Sequence, residues 1–146
     1  MLKLLSTLTL FLLSLLALAH AEYKSSVPKA ASMVRQMPTQ VQLFFSEKLE
    51  LKLSTFKVYR LQTDASSLSP AQIRTQARAL YRQVLLTQND GDKRWDTGVQ
   101  TTARTTKEVT LGLKPGLKPG AYVVMWQNLG TDGHRVRGFY TFTFSP

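Results

Sequence analysis

Gln40-Val41-Gln42-Leu43-Phe44-Phe45 is the stretch that indicates the fold, because Val41, Leu43 and Phe45 fall on one face of it. A period of two residues is that of a half-buried β-strand. Similar alternation returns at 56–61, 109–113 and 140–144, and 121–126 is a run that is apolar on both faces. Several short strands at such spacings predict an all-β sandwich or barrel.

The stretch 62–98 departs from this β pattern. Ser69 followed by Pro70, with Gln72 three residues after the serine, has the form of a capping box at a helix start. Apolar residues then recur at helical spacing, so we expect one amphipathic helix from about 70 to 87, closed by the polar turn 89–92. One stripe of this helix carries arginines four residues apart: Arg74, Arg78 and Arg82. Such a stripe is more often a solvated face than a binding site, and a surface for a partner or an anionic membrane is the alternative.

The first 19 residues have the pattern of a secretory signal peptide. A short basic start precedes the apolar run 4–16, which is too short to span a bilayer, and Ala17-Leu18-Ala19 supplies small residues for cleavage. Cleavage after Ala19 would leave one domain, residues 20–146, in the periplasm or outside the cell. Cleavage after Ala21 fits the same rule. The domain itself contains no second run of this kind, so we expect no spanning segment in it.

Composition excludes several classes of protein. The chain of 146 residues has no cysteine, which rules out disulfides and thiolate metal sites. Its net charge of +10 would attract anionic surfaces. The basic residues are nevertheless spread along the sequence, and no aromatic stacking motif of an RNA-binding module is visible, so we do not expect nucleic acid as a partner.

The two histidines are candidate metal ligands, since imidazole is a common ligand for copper and zinc. His20 would become the first residue after cleavage and would offer both an amine and a ring nitrogen. Asp132 and His134 are two residues apart, and in an extended segment they would point to the same side. Three nitrogens and one oxygen form the tetragonal environment that favours Cu(II), whereas zinc prefers a tetrahedron. The spacing of these residues is a weak signal by itself, because His20 could be a remnant of the leader and 132–134 could be a plain turn.

Several motifs in order resemble the CopC family of periplasmic copper-resistance proteins. The opening segment 20–28 has a histidine followed by Ser-x-Pro, and 43–47 reads L-F-F-S-E. Later, Pro119-Gly120-Ala121-Tyr122 is followed by Trp126, then by Asp132-Gly133-His134 and Gly138. The match covers both ends of the domain but not its middle. It implies an Ig-like, Greek-key β-sandwich of about seven strands, into which the helix is inserted.

The resemblance also implies a ligand set. His20, through its amine and ring, would bind one Cu(II) per chain together with Asp132 and His134. Glu47 aligns with a family glutamate close to the site and could orient the N-terminal group. Soft thioethers select Cu(I), but the middle insertion lacks the methionine-rich loop of some members, so we expect no dedicated Cu(I) site from the three methionines of the domain: Met33, Met37 and Met125.

The function implied is that of a periplasmic Cu(II)-binding protein without catalytic activity. It would sequester copper, confer resistance, or deliver the metal to an inner-membrane transporter of the CopD kind. Two alternatives remain open at this point. One is a copper histidine-brace oxidase of the lytic polysaccharide monooxygenase type, and the other is a metal-free sandwich that binds a protein through its basic helix.

Overall fold

The computed structural model describes residues 20–146, and the predicted leader, 1–19, lies outside the described residues. The described chain forms eight strands, one α-helix and two short 3-10 turns. The strands and the helix follow in this order: β1 Tyr23–Val27, β2 Met33–Val34, β3 Gln40–Glu50, β4 Thr55–Arg60, α1 Pro70–Val84, β5 Asp96–Val99, β6 Thr105–Leu113, β7 Gly120–Leu129 and β8 Arg135–Phe144.

The strands form two four-stranded sheets. In the first sheet the order is β1-β3-β6-β5 and every pair is antiparallel. In the second the order is β2-β8-β7-β4, and the pair β2–β8 is parallel. The predicted all-β sandwich with one helix is therefore confirmed. The described residues have eight strands where about seven were expected, and β2 is only two residues long.

The main core lies between the two sheets. Val41, Leu43 and Phe45 of β3 point inward as their alternation predicted, and the first two are fully buried. They meet side chains of the second sheet, among them Val58, Tyr122, Val124, Trp126 and Phe142. Because interiors are close-packed, this interdigitation holds the sheets in one relative position.

Helix α1 covers the outer face of the second sheet. Ala77 is its buried residue and packs in a second apolar cluster with Tyr59, Ala121, Val123 and Met125. This cover explains why 121–126 is apolar on both faces. Alternate residues of β7 face the core between the sheets, and those between them face the helix.

The two ends of α1 are fixed by side chains. The predicted capping box is present, with Gln72 N donating to Ser69 Oγ at 3.3 Å and Ser69 N donating to Gln72 Oε1 at 2.8 Å. The helix ends at Val84, earlier than the predicted 87. Buried Lys57 of β4 donates to the Val84 carbonyl at 3.0 Å and also to the Thr87 carbonyl, so the chain turns back onto the sheet there.

Candidate metal centre

The turn that joins β7 to β8 is short and internally hydrogen-bonded. Gly130 N donates to the His134 carbonyl at 2.8 Å, and Gly133 N donates to the Gly130 carbonyl at 2.9 Å. Gly133 has a φ of +85°, a conformation that glycine adopts at little cost. Thr131 N donates to the Lys48 carbonyl at 3.0 Å, which ties the turn to β3 of the other sheet. These bonds hold the turn at one end of the sandwich.

Asp132 and His134 share this turn, and their relation differs from the extended geometry that we expected. The backbone bends at Gly133, and Asp132 Oδ1 accepts a hydrogen bond from His134 N at 3.0 Å. The two side chains meet because of this local bond and not because of strand periodicity. Gly130 contributes space, since a Cβ atom there would lie 2.6 Å from Asp132 Oδ1.

His20 approaches the same carboxylate from the opposite end of the described chain. Its Nδ1 lies 3.1 Å from Asp132 Oδ2, and His134 Nδ1 lies 3.3 Å from that oxygen. The two imidazole centroids are 4.5 Å apart. One candidate ligand atom from each of the three residues lies within 4.8 Å of the others. The structure thus brings together the three residues that were predicted as ligands.

The site is open to solvent and contains an ionised carboxylate. The side chains of His20, Asp132 and His134 are 36%, 22% and 48% exposed. The hydrogen bond from the His134 backbone N–H has the largest effect on the pKa of Asp132 and lowers it. Desolvation acts in the opposite direction, but the hydrogen bond from His20 adds to the lowering, and the pKa stays below its usual value. Asp132 therefore presents a negative oxygen between two imidazoles.

Ser46, near the middle of β3, holds the backbone on either side of Ala21. Its Oγ donates to the His20 carbonyl at 2.8 Å and accepts from Glu22 N at 3.0 Å. Its own backbone N donates to the Glu22 carbonyl at 2.8 Å. These three bonds fix the chain direction immediately after His20, before β1 begins at Tyr23.

Asn128 of β7 holds Ala21, the residue between His20 and Glu22. Its Nδ2 donates to the Ala21 carbonyl at 2.9 Å, and both Asn128 and Ala21 are fully buried. Ser46 and Asn128 were not predicted from the sequence as positioning residues. Asn128 carried a signal that could have been used, because it is a polar residue that closely follows the apolar run 121–126.

Glu47 is not a member of this cluster. The Glu47 carboxylate is 44% exposed and lies 4.0 Å from Lys107 Nζ. Within 20–146, the group of candidate ligands consists of the other three residues, and a role for Glu47 in orienting the N-terminal group stays a prediction. Met33 and Met37 are exposed and Met125 is fully buried, and the expected lack of a Cu(I) site likewise stays a prediction.

Comparisons with known proteins place these features in a family. Across residues 20–146 the structure has no helix that is long and apolar enough to cross a membrane. Comparison with curated protein sequences gave no significant match. A family model described as the CopC domain matches residues 23–80 and 74–145.

Two solved structures show the same relationship. The crystal structure of CopC from Methylosinus trichosporium OB3b is 26% identical, with a TM-score of 0.59 over 87% of this chain and 95% of that one. The structure of PcoC, a methionine-rich copper resistance protein from Escherichia coli, is 31% identical, with a TM-score of 0.60 over 87% of this chain and 100% of that one. The chain therefore belongs to the CopC family, whose members are periplasmic copper-binding resistance proteins and not enzymes.

Proposed function

We propose that this protein holds one Cu(II) ion per exported chain through His20, Asp132 and His134, and that it sequesters the ion or delivers it to a CopD-like transporter in the inner membrane. His20 would contribute its α-amine and its ring. The observation that carries the proposal is the convergence of His20 and Asp132, 112 positions apart in the sequence, on one exposed cluster.

The spacing of the side chains supports a single bound ion. Two ligands bonded at about 2.0 Å to one metal lie about 2.8 Å apart at an angle of about 90° and about 3.3 Å apart at the tetrahedral angle. The Nδ1 to Oδ2 distances of 3.1 and 3.3 Å fall within this range, so the three side chains can reach one ion. Two imidazoles, one amine and one carboxylate also form the mixed N,O set that favours Cu(II) in a tetragonal geometry.

Ala21 is buried, and this burial supports cleavage after Ala19 in preference to cleavage after Ala21. The second cut would remove His20 and also Ala21, whose carbonyl accepts from the buried Asn128 amide. An unpaired buried amide would cost about 1–3 kcal/mol. A chain that begins at His20 keeps this hydrogen bond and frees the amine. Mass spectrometry of the exported protein should therefore give the mass of residues 20–146, and a chain beginning at Glu22 would contradict the proposal.

The copper proposal is tested by titration of the exported protein with Cu(II). Calorimetry should give one site per chain, and electron paramagnetic resonance should give a tetragonal signal with nitrogen ligands. His134→Ala should weaken the affinity by at least about tenfold, because one ligand is lost from the set. Asp92→Ala is the matched control, since Asp92 is an exposed carboxylate in a different turn. An affinity unchanged in His134→Ala would refute the ligand set.

A further inference from the structure

A groove beside α1 is lined by arginines. Arg78 and Arg82 of the helix and Arg137 of β8 border it, together with Tyr81 and Leu86, and its volume is about 460 Å³. All three arginines are exposed. We call this feature the arginine groove. Helix α1 carries no aspartate or glutamate, so it brings no negative charge to the groove.

These guanidinium groups are not neutralised by the protein itself. Among residues 20–146, no carboxylate lies within 4.0 Å of the charged groups of Arg78, Arg82 or Arg137. Arg94 and Arg104, by comparison, are each near a carboxylate. The positive charge of the groove is therefore available to a ligand from outside.

Two of the three arginines are held in place. The Arg78 guanidinium lies over the Phe139 ring, 5.5 Å from its centroid, and Phe139 packs against Tyr81 at 5.1 Å. Arg137 Nε donates to Gln127 Oε1 at 2.6 Å. Side chains that are already ordered lose less conformational entropy when a ligand binds, so this arrangement is suited to recognition.

We propose that the arginine groove binds a carboxylate-rich segment of a partner protein. A guanidinium group pairs with a carboxylate through two parallel hydrogen bonds, and this geometry gives specificity as well as attraction. Leu86 is 56% exposed at the groove and offers an apolar contact beside the charges.

An anionic membrane fits the structure less well than a protein. A helix that lies in a membrane interface buries an apolar face among the lipids. The apolar face of α1, which includes Ile73, Ala77 and Leu80, is already packed on the second sheet. The helix therefore has charge to offer to a partner, but no apolar stripe to insert into lipid.

The groove lies near the turn that carries His134. Along β8, Arg137 follows His134 by three residues, a distance of about 10 Å in an extended strand. A partner in the groove would thus be close to the candidate metal centre. The closeness of a bound partner to copper rests on the proposed copper function. The binding of the partner does not, because the groove contains none of the three candidate ligands.

The test measures binding of a fluorescein-labelled hexaglutamate peptide by anisotropy at low salt. The triple variant Arg78→Gln, Arg82→Gln, Arg137→Gln should bind at least about tenfold more weakly than the unchanged protein. The control triple, Lys24→Gln, Arg104→Gln, Lys118→Gln, has the same net charge and removes exposed cations that do not line the groove, so it should bind within about twofold of the unchanged protein.

Two further variants keep the test decisive. If the groove triple variant does not fold, Arg82→Glu alone should weaken the affinity for the peptide about fivefold. His134→Ala should leave peptide binding unchanged, so that failure of the copper proposal and failure of the groove proposal are distinguishable. Equal loss in the two triples would overturn the proposal, because net charge alone would then explain the binding. Groove-dependent binding to phosphatidylglycerol vesicles without binding of the peptide would overturn it in favour of lipid.

Discussion

Gly130→Ala is expected to weaken copper binding while the sandwich stays folded. The new Cβ atom would lie 2.6 Å from Asp132 Oδ1, and real Cβ contacts are essentially never shorter than 3.0 Å. The carboxylate must therefore move by at least about 0.4 Å. Ligand positions in metal sites are defined to about 0.2 Å, so this displacement exceeds the tolerance of a metal centre that includes Asp132.

The magnitude follows from what Asp132 contacts. Its Oδ1 accepts from His134 N at 3.0 Å, and its Oδ2 lies near both imidazoles, so one shift disturbs all three contacts. Disturbance of the shell that orients metal ligands costs about 10- to 100-fold in affinity, or about 1.4–2.7 kcal/mol. The free energy of unfolding should fall by no more than about 1 kcal/mol, because the shift weakens one hydrogen bond at the end of a side chain and leaves the packed core unchanged.

Two measurements on the same protein separate these effects. Competition with a copper-chelating dye gives the affinity, and urea unfolding of the metal-free protein gives the stability. Gly91→Ala is the matched control, since nothing lies within 4 Å of its new Cβ atom and it should bind copper like the unchanged protein. A folded Gly130→Ala protein with unchanged copper affinity would refute the reasoning, because Asp132 would then not be a ligand.

Two predictions concern the buried pair beneath α1, in which Lys57 Nζ lies 2.5 Å from Asp90 Oδ2 and both side chains are at most 5% exposed. Asp90→Ala should lower the free energy of unfolding by about 3–5 kcal/mol in urea titrations, since it leaves a buried ammonium without its counter-charge; a loss no larger than that of exposed Asp92→Ala would contradict this. Burial acts to raise the pKa of Asp90, but hydrogen bonds from Lys57 and Tyr59 outweigh it and lower the pKa. The stabilisation is therefore present above the unfolded-state pKa of about 4 and is lost as the pH falls through the lower pKa of the folded state. The difference in free energy of unfolding between the unchanged protein and Asp90→Ala should therefore close in acid. A constant difference down to pH 2.5 would be inconsistent with an ionised Asp90.

The sequence predicted the strands that bury an apolar face and missed three of the four edge strands. Strands β3, β4, β6, β7 and β8 bury at least one face and so carry a clear hydrophobic pattern. Edge strands β1, β2 and β5 do not. In β1 the buried residue is Ser26, and in β5 it is Asp96, whose carboxylate accepts from Val58 N at 2.8 Å. These strands form because their backbones pair with neighbouring strands, and local alternation in the sequence cannot reveal such pairing.

Lys57 illustrates a second limit of pattern reading. Alternation in β4 placed Lys57 opposite Phe56 and Val58, as expected for a solvent-facing residue, yet its side chain is 3% exposed. The inserted helix covers that face, and the lysine binds the carbonyls at the end of the helix. A period of two residues distinguishes the two faces of a strand, but it does not tell whether a second layer covers the polar one.

For the candidate site, the identity of the three residues could be predicted from the sequence, but their geometry could not. The family resemblance named His20, Asp132 and His134, and the structure brings them together. The geometric argument for the Asp-x-His pair was wrong, because the pair lies in a turn bent at Gly133. Ser46 was part of a quoted motif, but its bonds to residues 20 and 22 link positions that are distant in sequence, and such links have no local signal.

The position of His20 depends on both sheets at once. Ser46 belongs to β3 of the first sheet and Asn128 to β7 of the second, and together they hold the backbone of residues 20–22. Asp132 lies on a turn that is itself tied to β3 through Lys48. Loosening of one sheet against the other would therefore move His20 relative to Asp132. An ion held by both residues would bind the folded chain better than the unfolded one, so we expect copper loading to stabilise the sandwich, in a protein that has no disulfide to do so.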